Sequence, residues 1–103
     1  MTELFAEAKP ALKTVEIYRL AINRWGINTQ LNMLAEEASE LTQIALKIQR
    51  TANNTNMRNL AEEIADVEIC SEQIKDAFQL GDVVKSIREA KLEKLQKLLE
   101  NTP

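Results

Sequence analysis

The sequence predicts an all-α protein, a four-helix bundle whose packing is completed by self-association. Three observations favour this class. Only two Gly and two Pro occur in 103 residues, so little of the backbone is barred from helix. Apolar residues recur three and four positions apart through most of the chain, which is the spacing of one helix face. The connections between these segments are short, and short connections favour antiparallel neighbours.

The first two helices are separated by a glycine. Residues 11–25 are predicted to form the first helix, because Pro10 breaks the pattern before it and Gly26 is a stop signal after it. Asn28 or Thr29 is expected to cap the second helix, which keeps its apolar spacing until about position 50.

Two further helices are predicted in the second half of the chain. The run TANNTN at residues 51–56 is expected to be a loop, because Asn and Thr side chains compete with helical backbone hydrogen bonds. The third helix is predicted to run to about Leu80 and to end at Gly81. Asp82 is expected to cap the fourth helix, which continues to about Leu98.

Composition limits the size of the core and the classes of partner. Residues 1–103 are predicted to be a single domain with a modest core. The net charge of −3 and the lack of a Lys/Arg block argue against a nucleic-acid polymer as partner. No apolar run reaches membrane-spanning length and the acidic start is unlike a signal peptide, so no membrane association and a cytoplasmic setting are expected.

Two of the predicted helices carry acidic residues where the core should be. Glu37 and Glu40 lie three residues apart in LAEEASEL, and Glu63 and Asp66 lie three apart in LAEEIADV. At about 100° per residue, Glu37 and Glu63 fall inside the apolar arcs of their helices. Glu40 and Asp66 fall at the borders of these arcs, and Glu36 lies just beyond. A buried carboxylate is costly unless a cation compensates it or it takes up a proton.

The apolar arc of the third helix is predicted to consist of Leu60, Ile64, Val67, Cys70, Ile74 and Phe78. Within it, the lone cysteine is expected to pack as a small apolar residue. Four other acidic residues of this helix are expected to point to water. They are Glu62, Glu68, Glu72 and Asp76.

Basic residues lie on the apolar arc of the fourth helix. Lys91 falls within the arc, with Arg88 near it and Lys94 at its margin. Three interpretations of Lys91 stay open from spacing alone: an ion pair with one of the buried carboxylates, a contact with phosphate oxygens beside a metal, or a stem that packs on apolar surface while its charge reaches water.

The chemistry of the acidic residues restricts the metal that they can bind. The chain has no His and one Cys, which argues against a di-iron carboxylate centre and against structural zinc. An all-oxygen set suits Mg²⁺ or Mn²⁺, and Mg²⁺ commonly contacts its substrate through phosphates. These residues therefore indicate phosphoryl or nucleotidyl chemistry, with attack by a metal-activated water and a spare carboxylate that accepts the proton.

The two acidic motifs together resemble a known family. Glu-Glu-x-x-Glu, which is EEASE at residues 36–40, is followed by Glu-x-x-Asp, which is EIAD at residues 63–66. In this order they resemble the MazG-like all-α nucleoside triphosphate pyrophosphohydrolases. The similarity extends from about Trp25 to the segment KLEKL at residues 91–95.

The resemblance implies hydrolysis of a nucleoside or deoxynucleoside triphosphate between the α and β phosphorus atoms, which yields a monophosphate and pyrophosphate. It implies Mg²⁺ as cofactor, a small-molecule nucleotide as substrate, and a house-cleaning role against noncanonical or surplus nucleotides. It also implies a homodimer or a dimer of dimers in which helices of two subunits complete each site.

The resemblance also assigns roles by motif position. The implied metal ligands are Glu37, Glu40, Glu63 and Asp66. Glu36 and Glu40 are the implied catalytic carboxylates, with Glu36 as a proton acceptor or as a group behind the ligands. The implied phosphate-binding residues are Lys91 and Lys94, and Arg88, which lies near Lys91 on the same arc, is a further candidate for substrate binding.

Two residues are candidates for contact with the base. Trp25 can stack on a nucleobase, although the preferred interpretation is a core or interface plug. Gln30 can bind a base edge, and the simpler alternative is that it caps and solvates the start of the second helix. Two other functions stay open: a non-catalytic helical oligomerisation or nucleotide-binding module, and a phosphoribosyl-ATP pyrophosphohydrolase-type activity.

Overall fold

The computed structural model describes residues 11–103, and every regular element in that range is a helix. The helices are α1 (Thr14–Trp25), α2 (Ile27–Arg50), α3 (Asn54–Ala77) and α4 (Gly81–Glu100). The all-α class predicted from the sequence is therefore confirmed. The predicted break at Pro10 and the acidic segment before it lie outside the described residues. No helix in the described range is both long enough and apolar enough to cross a membrane.

Helices α2 and α3 form the main packing unit, and α1 packs against both of them. The buried apolar side chains of this three-helix unit are Ala21, Ile44, Cys70 and Ile74. Arg19 on α1 also donates two hydrogen bonds of 3.2 Å to the carboxylate of Asp76 on α3. Asp76 thus binds a neighbouring helix, whereas the sequence predicted that it would simply point to water.

The loop between α2 and α3 is shorter than predicted. Asn53 is the N-cap of α3, and its side chain accepts a hydrogen bond of 2.8 Å from the backbone N–H of Asn56. The buried side chain of Asn56 in turn donates to the carbonyl oxygen of Thr51 at 2.7 Å. The polar residues that suggested a six-residue loop therefore close the loop after three residues and begin the helix.

Gly26 ends α1 as predicted and at once begins α2. Its φ of 89° lies in the region that favours glycine, and it occupies the N-cap position of α2 without a side-chain cap. The prediction that Asn28 or Thr29 caps α2 is therefore wrong, because both residues already lie within the first turn.

The other glycine begins a helix where the sequence predicted an end. Helix α3 stops at Ala77, and Gln79 takes the left-handed conformation of the turn with a φ of 55°. Gly81 is then the first residue of α4. Asp82 lies in the first turn of α4, where its charge suits the positive end of the helix, but it does not cap it.

The buried arc of α3 differs from the predicted one. Ile64 and Phe78 are 41% and 51% exposed, whereas Cys70, Ile74 and the polar Gln73 are buried. Helix α3 packs chiefly against α1 and α2, and its buried or half-buried residues include the polar Glu63, Asp66 and Gln73. Polar side chains therefore lie in the helix interface.

Helix α4 projects from the other three helices. Among the described residues it packs against α3 alone, and none of its residues is buried. Its exposed large apolar residues are Val83, Val84, Ile87, Leu92, Leu95, Leu98 and Leu99. The radius of gyration is 18.9 Å, whereas a compact domain of this length has about 13 Å. The fourth helix thus has no bundle partner within the described chain.

Candidate metal centre

Three carboxylates meet at the interface of α2 and α3, and we refer to Glu37, Glu63 and Asp66 as the acidic cluster. One oxygen of each lies within 4.8 Å of the others. The helical hairpin explains the meeting, because residues at similar distances before and after the loop face each other. Glu37 stands 15 residues before Ala52 (52 − 37), and Asp66 stands 14 residues after it (66 − 52).

Two oxygens of the acidic cluster are buried without a partner. Oε2 of Glu37 and Oε2 of Glu63 have no hydrogen-bond donor among the described residues. Two carboxylate oxygens cannot bond to each other unless one carboxyl group carries a proton. Such oxygens are costly in the folded state, and either a proton or a metal ion can offset that cost.

The proton affinity of the cluster reflects this crowding. A hydrogen bond with Glu63, followed by burial and by the negative charges of Glu40, Asp66 and Glu63, raises the pKa of Glu37 to about 7. Burial is also the main reason that the pKa of Glu63 is raised. The hydrogen bond with Glu37 acts in the opposite direction, and the charge of Glu40 raises the pKa further.

Glu40 lies beside the acidic cluster, and Glu36 lies further out. Glu40 is exposed, but it is close enough to affect the pKa values of both Glu37 and Glu63. Glu36 is exposed and lines a shallow surface depression together with Glu40. The structure thus brings together three of the four acids implied as metal ligands, with Glu40 beside them and Glu36 outside the group.

No basic side chain neutralises the cluster within the described range. The four ion pairs there are Arg19–Asp76, Arg58–Glu62, Lys75–Glu72 and Lys97–Glu93. None of them includes a member of the acidic cluster. No ion pair between Lys91 and a buried carboxylate occurs in the described chain, where Lys91 is exposed and belongs to none of these four pairs.

The same geometry separates the implied phosphate-binding residues from the cluster. Lys91, Lys94 and Arg88 are all exposed on α4. Lys91 and Arg88 line a groove on that helix together with Val84, Ile87, Leu92 and Leu95. The predicted placement of Lys91 on the apolar face of α4 is therefore correct, but that face is exposed to solvent.

The donor set of the cluster fits a hard divalent cation. Three carboxylates, with Glu40 at the edge, supply oxygen ligands of the kind that Mg²⁺ and Mn²⁺ prefer. Cys70 lies nearby, and burial together with the charges of Glu37 and Asp66 raises the pKa of its thiol. The thiol therefore stays protonated and is a poor ligand for a metal ion.

A cavity of about 450 Å³ adjoins the cluster and shares Glu37 and Asp66 with it. Its other lining residues are Trp25, Thr29, Gln30, Met33, Ile69, Cys70 and Gln73. A larger cavity of about 730 Å³ lies between α1 and the start of α4. It contains no member of the acidic cluster, so the smaller cavity is the one relevant to chemistry at the metal centre.

The two candidate base-contact residues have different environments. Trp25 is 60% exposed at the edge of the smaller cavity, so it is not a core plug. Gln30 is only 6% exposed and lines the same cavity. The simpler alternative for Gln30, a solvated residue at the start of α2, is therefore wrong.

Sequence reasoning missed Gln73, which is 8% exposed and lines the cavity. A signal for it exists in the spacing. Gln73 lies three residues after Cys70 and seven after Asp66, so all three share one face of α3. A polar residue on the helix face that also carries an acidic residue indicates that this face lines a binding site.

Comparisons with protein-family models, with curated proteins and with solved structures find no match for this chain. Function therefore has to follow from the residues of the acidic cluster and of the cavity beside it.

Proposed function

We propose that this protein is a Mg²⁺-dependent nucleotide pyrophosphohydrolase that converts a (d)NTP and water to a (d)NMP and pyrophosphate. One observation carries the proposal: two buried carboxylate oxygens, on Glu37 and Glu63, lack any partner in a cluster that no Lys or Arg neutralises within the described chain. The resemblance of the two acidic motifs to MazG-like enzymes supports this choice of reaction.

Glu37, Glu63 and Asp66 would hold the cation, and Glu40 would join them from the edge of the cluster. A bound Mg²⁺ supplies Lewis-acid polarisation of the phosphate and lowers the pKa of coordinated water. The proton on Glu37 must leave when the cation binds, because a metal ion and a proton compete for the same oxygen.

Glu40 is the carboxylate best placed to accept a proton from the attacking water. It is exposed and lies outside the three close oxygens of the cluster, so it can exchange that proton with solvent. In the reaction the water oxygen bonds to phosphorus, the bond to the oxygen that bridges the α and β phosphorus atoms breaks, and pyrophosphate leaves. Glu36, in the same surface depression as Glu40, can relay the proton to solvent.

The proposal includes self-association through α4. A homodimer or a dimer of dimers would bury the exposed apolar face of this helix, whose removal from water is favourable. It would also bring Lys91, Lys94 and Arg88 close to a site in another subunit. Their positive charge would then offset the negative charge of the substrate phosphates.

A substrate panel with identified products tests the proposed reaction. We expect pyrophosphate and a monophosphate from at least one (d)NTP, with no release when the metal is chelated. The panel should include phosphoribosyl-ATP, because preferential cleavage of that compound would favour the related activity. No pyrophosphate from any substrate, with Mg²⁺ or with Mn²⁺, would contradict the proposal.

A non-catalytic oligomerisation module is the second candidate, and the open apolar face of α4 favours it. This candidate leaves the unpartnered oxygens of Glu37 and Glu63 without a role. Metal titration separates the two functions. The hydrolase proposal requires that Mg²⁺ raise the melting temperature of the protein, since a ligand that binds only the folded state stabilises it.

A further inference from the structure

We infer that α1 is a lid on the hairpin of α2 and α3, with a hinge at Gly26 and a latch in the ion pair of Arg19 with Asp76. The closed lid covers the face of α3 that borders the cavity of about 450 Å³. Opening of the lid admits small molecules to that face. This lid goes beyond the proposed function and does not depend on it, because it controls access to the protein and takes no part in the reaction.

The hinge is the single residue that joins α1 to α2. Gly26 has a φ of 89° and a ψ of 155°, in a region of backbone conformation that is open essentially to glycine alone. A Cβ placed on Gly26 would meet nothing within 4 Å. Since nothing packs on this side of the backbone, the residue can absorb a change in its dihedral angles when α1 moves.

Apolar contacts hold α1 only weakly on the hairpin. Ala21 is the one buried residue of this helix, whereas Ile17 and Leu20 are about half exposed. The cavity of about 730 Å³ is lined by residues of both α1 and α3. Another cavity, of about 220 Å³, is lined by Arg19, Ile22, Asn23, Asp76 and Ala77. Because burial of apolar surface provides most of the stability of a packed helix, α1 separates from the hairpin more easily than α2 separates from α3.

The latch is the polar contact between α1 and α3. Nε and Nη2 of Arg19 each donate a hydrogen bond of 3.2 Å to the carboxylate of Asp76. Among the described residues, these are the only side-chain hydrogen bonds that join α1 to another helix. The two side chains are 67% and 26% exposed. An ion pair so accessible to water stabilises a contact only modestly, so this latch can open at low cost.

A buried polar group lies beneath α1. Arg19 binds Asp76, and Trp25 at the end of α1 shares the smaller cavity with Cys70. Helix α1 therefore runs along α3 from Asp76 towards Cys70, and Gln73 lies between these two positions. Oε1 of Gln73 is buried without a hydrogen-bond partner among the described residues. The closed lid thus leaves this acceptor unpaired, and the open lid allows water to reach it.

These contributions oppose one another and set an equilibrium between the closed and the open lid. The latch and the burial of Ala21 favour the closed state, whereas hydration of Gln73 favours the open state. Local openings take place in the least stable parts of a fold, and segments that open in this way commonly cover binding cavities. Weakening the latch or the hinge should therefore increase access to the face beneath α1 without unfolding the hairpin.

Cys70 reports the opening, because it is the single cysteine of the chain and is only 8% exposed. The test measures how fast iodoacetamide alkylates this thiol in the folded protein at one fixed pH, since the thiolate is the form that reacts. Alkylation of the wild-type protein should be much slower than alkylation of the chain unfolded in urea. Arg19→Gln removes the latch and should speed alkylation of the folded protein by about fivefold. Arg19→Lys keeps the charge but loses the paired hydrogen bonds, so its effect should be smaller and in the same direction.

Gly26→Ala tests the hinge while the latch is intact. The added side chain disfavours the backbone angles of the closed lid, so alkylation should again become faster by about fivefold. Arg58→Gln is the matched control for Arg19→Gln, because Arg58 forms its exposed ion pair with Glu62 inside α3. The control should leave the rate of alkylation unchanged.

The dependence on urea separates opening of the lid from unfolding of the whole protein. Movement of α1 exposes much less surface than global unfolding, so the alkylation rate should rise less steeply with urea than the unfolding equilibrium does. Hydrogen exchange read by mass spectrometry is a second measurement. In Arg19→Gln, exchange should become faster in peptides from α1 and should stay unchanged in peptides from α2.

Four results would overturn the lid. They are alkylation of wild-type Cys70 as fast as in the unfolded chain, rates that neither Arg19→Gln nor Gly26→Ala changes, the full urea dependence of global unfolding, and an equal gain in Arg58→Gln. Release of pyrophosphate is not measured in this test, so none of these results bears on the proposed reaction.

Discussion

The hairpin of α2 and α3 and the helix α4 are both amphipathic, yet they reach different outcomes. The hairpin buries its inner faces and gathers acidic and amide side chains between its helices. Helix α4 has a similar pattern of apolar residues but buries none of them. An apolar face without a partner among the described residues is the kind of surface that commonly contacts another molecule.

The two regions also differ in the chemistry that they offer. The hairpin holds the carboxylates of the acidic cluster, whereas Lys91, Lys94 and Arg88 are on α4. A metal and a phosphate chain need both kinds of charge close together. The comparison therefore predicts that metal binding belongs to the hairpin alone, and that full activity needs α4 of a second subunit.

The largest expected effect is at the hairpin. Glu63→Gln removes one ligand oxygen and one buried charge, so release of pyrophosphate should fall by about 100-fold or more, since even outer-shell changes at metal sites cost 10- to 100-fold. Thermal stabilisation by Mg²⁺ should disappear in the same variant. Glu62→Gln is the matched control, because Glu62 is exposed and its one ion pair among the described residues is with Arg58. Equal loss in both variants would contradict a metal site at the cluster.

The next effect tests α4. Leu95→Glu places a charge in the middle of its apolar face and should weaken self-association by about 3 kcal/mol, the scale of an uncompensated buried charge. The chain should then run as a monomer in light scattering at micromolar concentration. Activity should fall with assembly, while stabilisation of the hairpin by Mg²⁺ should persist.

Ser86→Glu is the control for this prediction. Ser86 lies nine residues before Leu95, which places it on the opposite face of α4. The control adds a charge of the same sign and should leave the oligomer intact. A wild-type protein that is already monomeric would break the comparison between the two regions.

A smaller effect concerns pH. The pKa of Glu37 is 4.5 as a free group and about 7 in the folded protein, so the folded state binds this proton more tightly than the unfolded state. The metal-free protein should therefore lose stability as the pH rises from about 4.5 to 7. Glu37→Gln removes the titration, and it should raise the melting temperature of the metal-free protein at pH 8 but not at pH 4.

Mg²⁺ should reverse the relative stability of the wild-type protein and Glu37→Gln. With saturating Mg²⁺ at pH 8, the wild-type protein should be more stable than Glu37→Gln, because only the wild-type protein retains the full ligand set. Differential scanning calorimetry of both proteins, with and without Mg²⁺, measures all four states. A metal-free wild-type protein whose stability falls no more between pH 4 and pH 8 than that of Glu37→Gln would refute the assigned role of Glu37.

The smallest effects compare the two glycines. Gly26 has a φ of 89°, so Gly26→Ala should destabilise the protein by about 1 kcal/mol. Gly81 begins α4 in an ordinary helical conformation with open space around it, so Gly81→Ala should stabilise the protein by about 0.5 kcal/mol. Urea unfolding of both variants measures the difference, and the same sign for both would contradict the assigned helix boundaries.

The hairpin was largely predictable from the sequence. Glu37 and Glu63 were placed inside the apolar arcs because an α-helix turns by a fixed angle per residue, and both side chains are partly buried in the structure. The turn before α4 was harder to predict from the sequence. Either Gly81 or another residue can supply the left-handed position, and here Gln79 does so, although this conformation is uncommon for a residue with a side chain.

The cavity could not be predicted, because it depends on how α1 meets the hairpin. Gln73 is buried where α3 meets its neighbours, whereas Ile64 and Phe78 are exposed, and the apolar spacing alone does not distinguish these positions. The exposure of the apolar face of α4 could likewise not be predicted from the sequence. Residues such as Leu95 show that a face is apolar, but the sequence pattern does not show which surface covers it.

A crystal structure of the protein grown with Mn²⁺ tests the central claim most directly, because anomalous scattering locates the ion independently of the surrounding atoms. We predict one strong anomalous peak, from an ion coordinated by oxygens of Glu37, Glu63 and Asp66. These oxygens include the two Oε2 atoms that have no partner in the described chain. An acidic cluster that shows no peak, with its carboxylates turned into solvent or paired with Lys or Arg of a second subunit, would contradict the account.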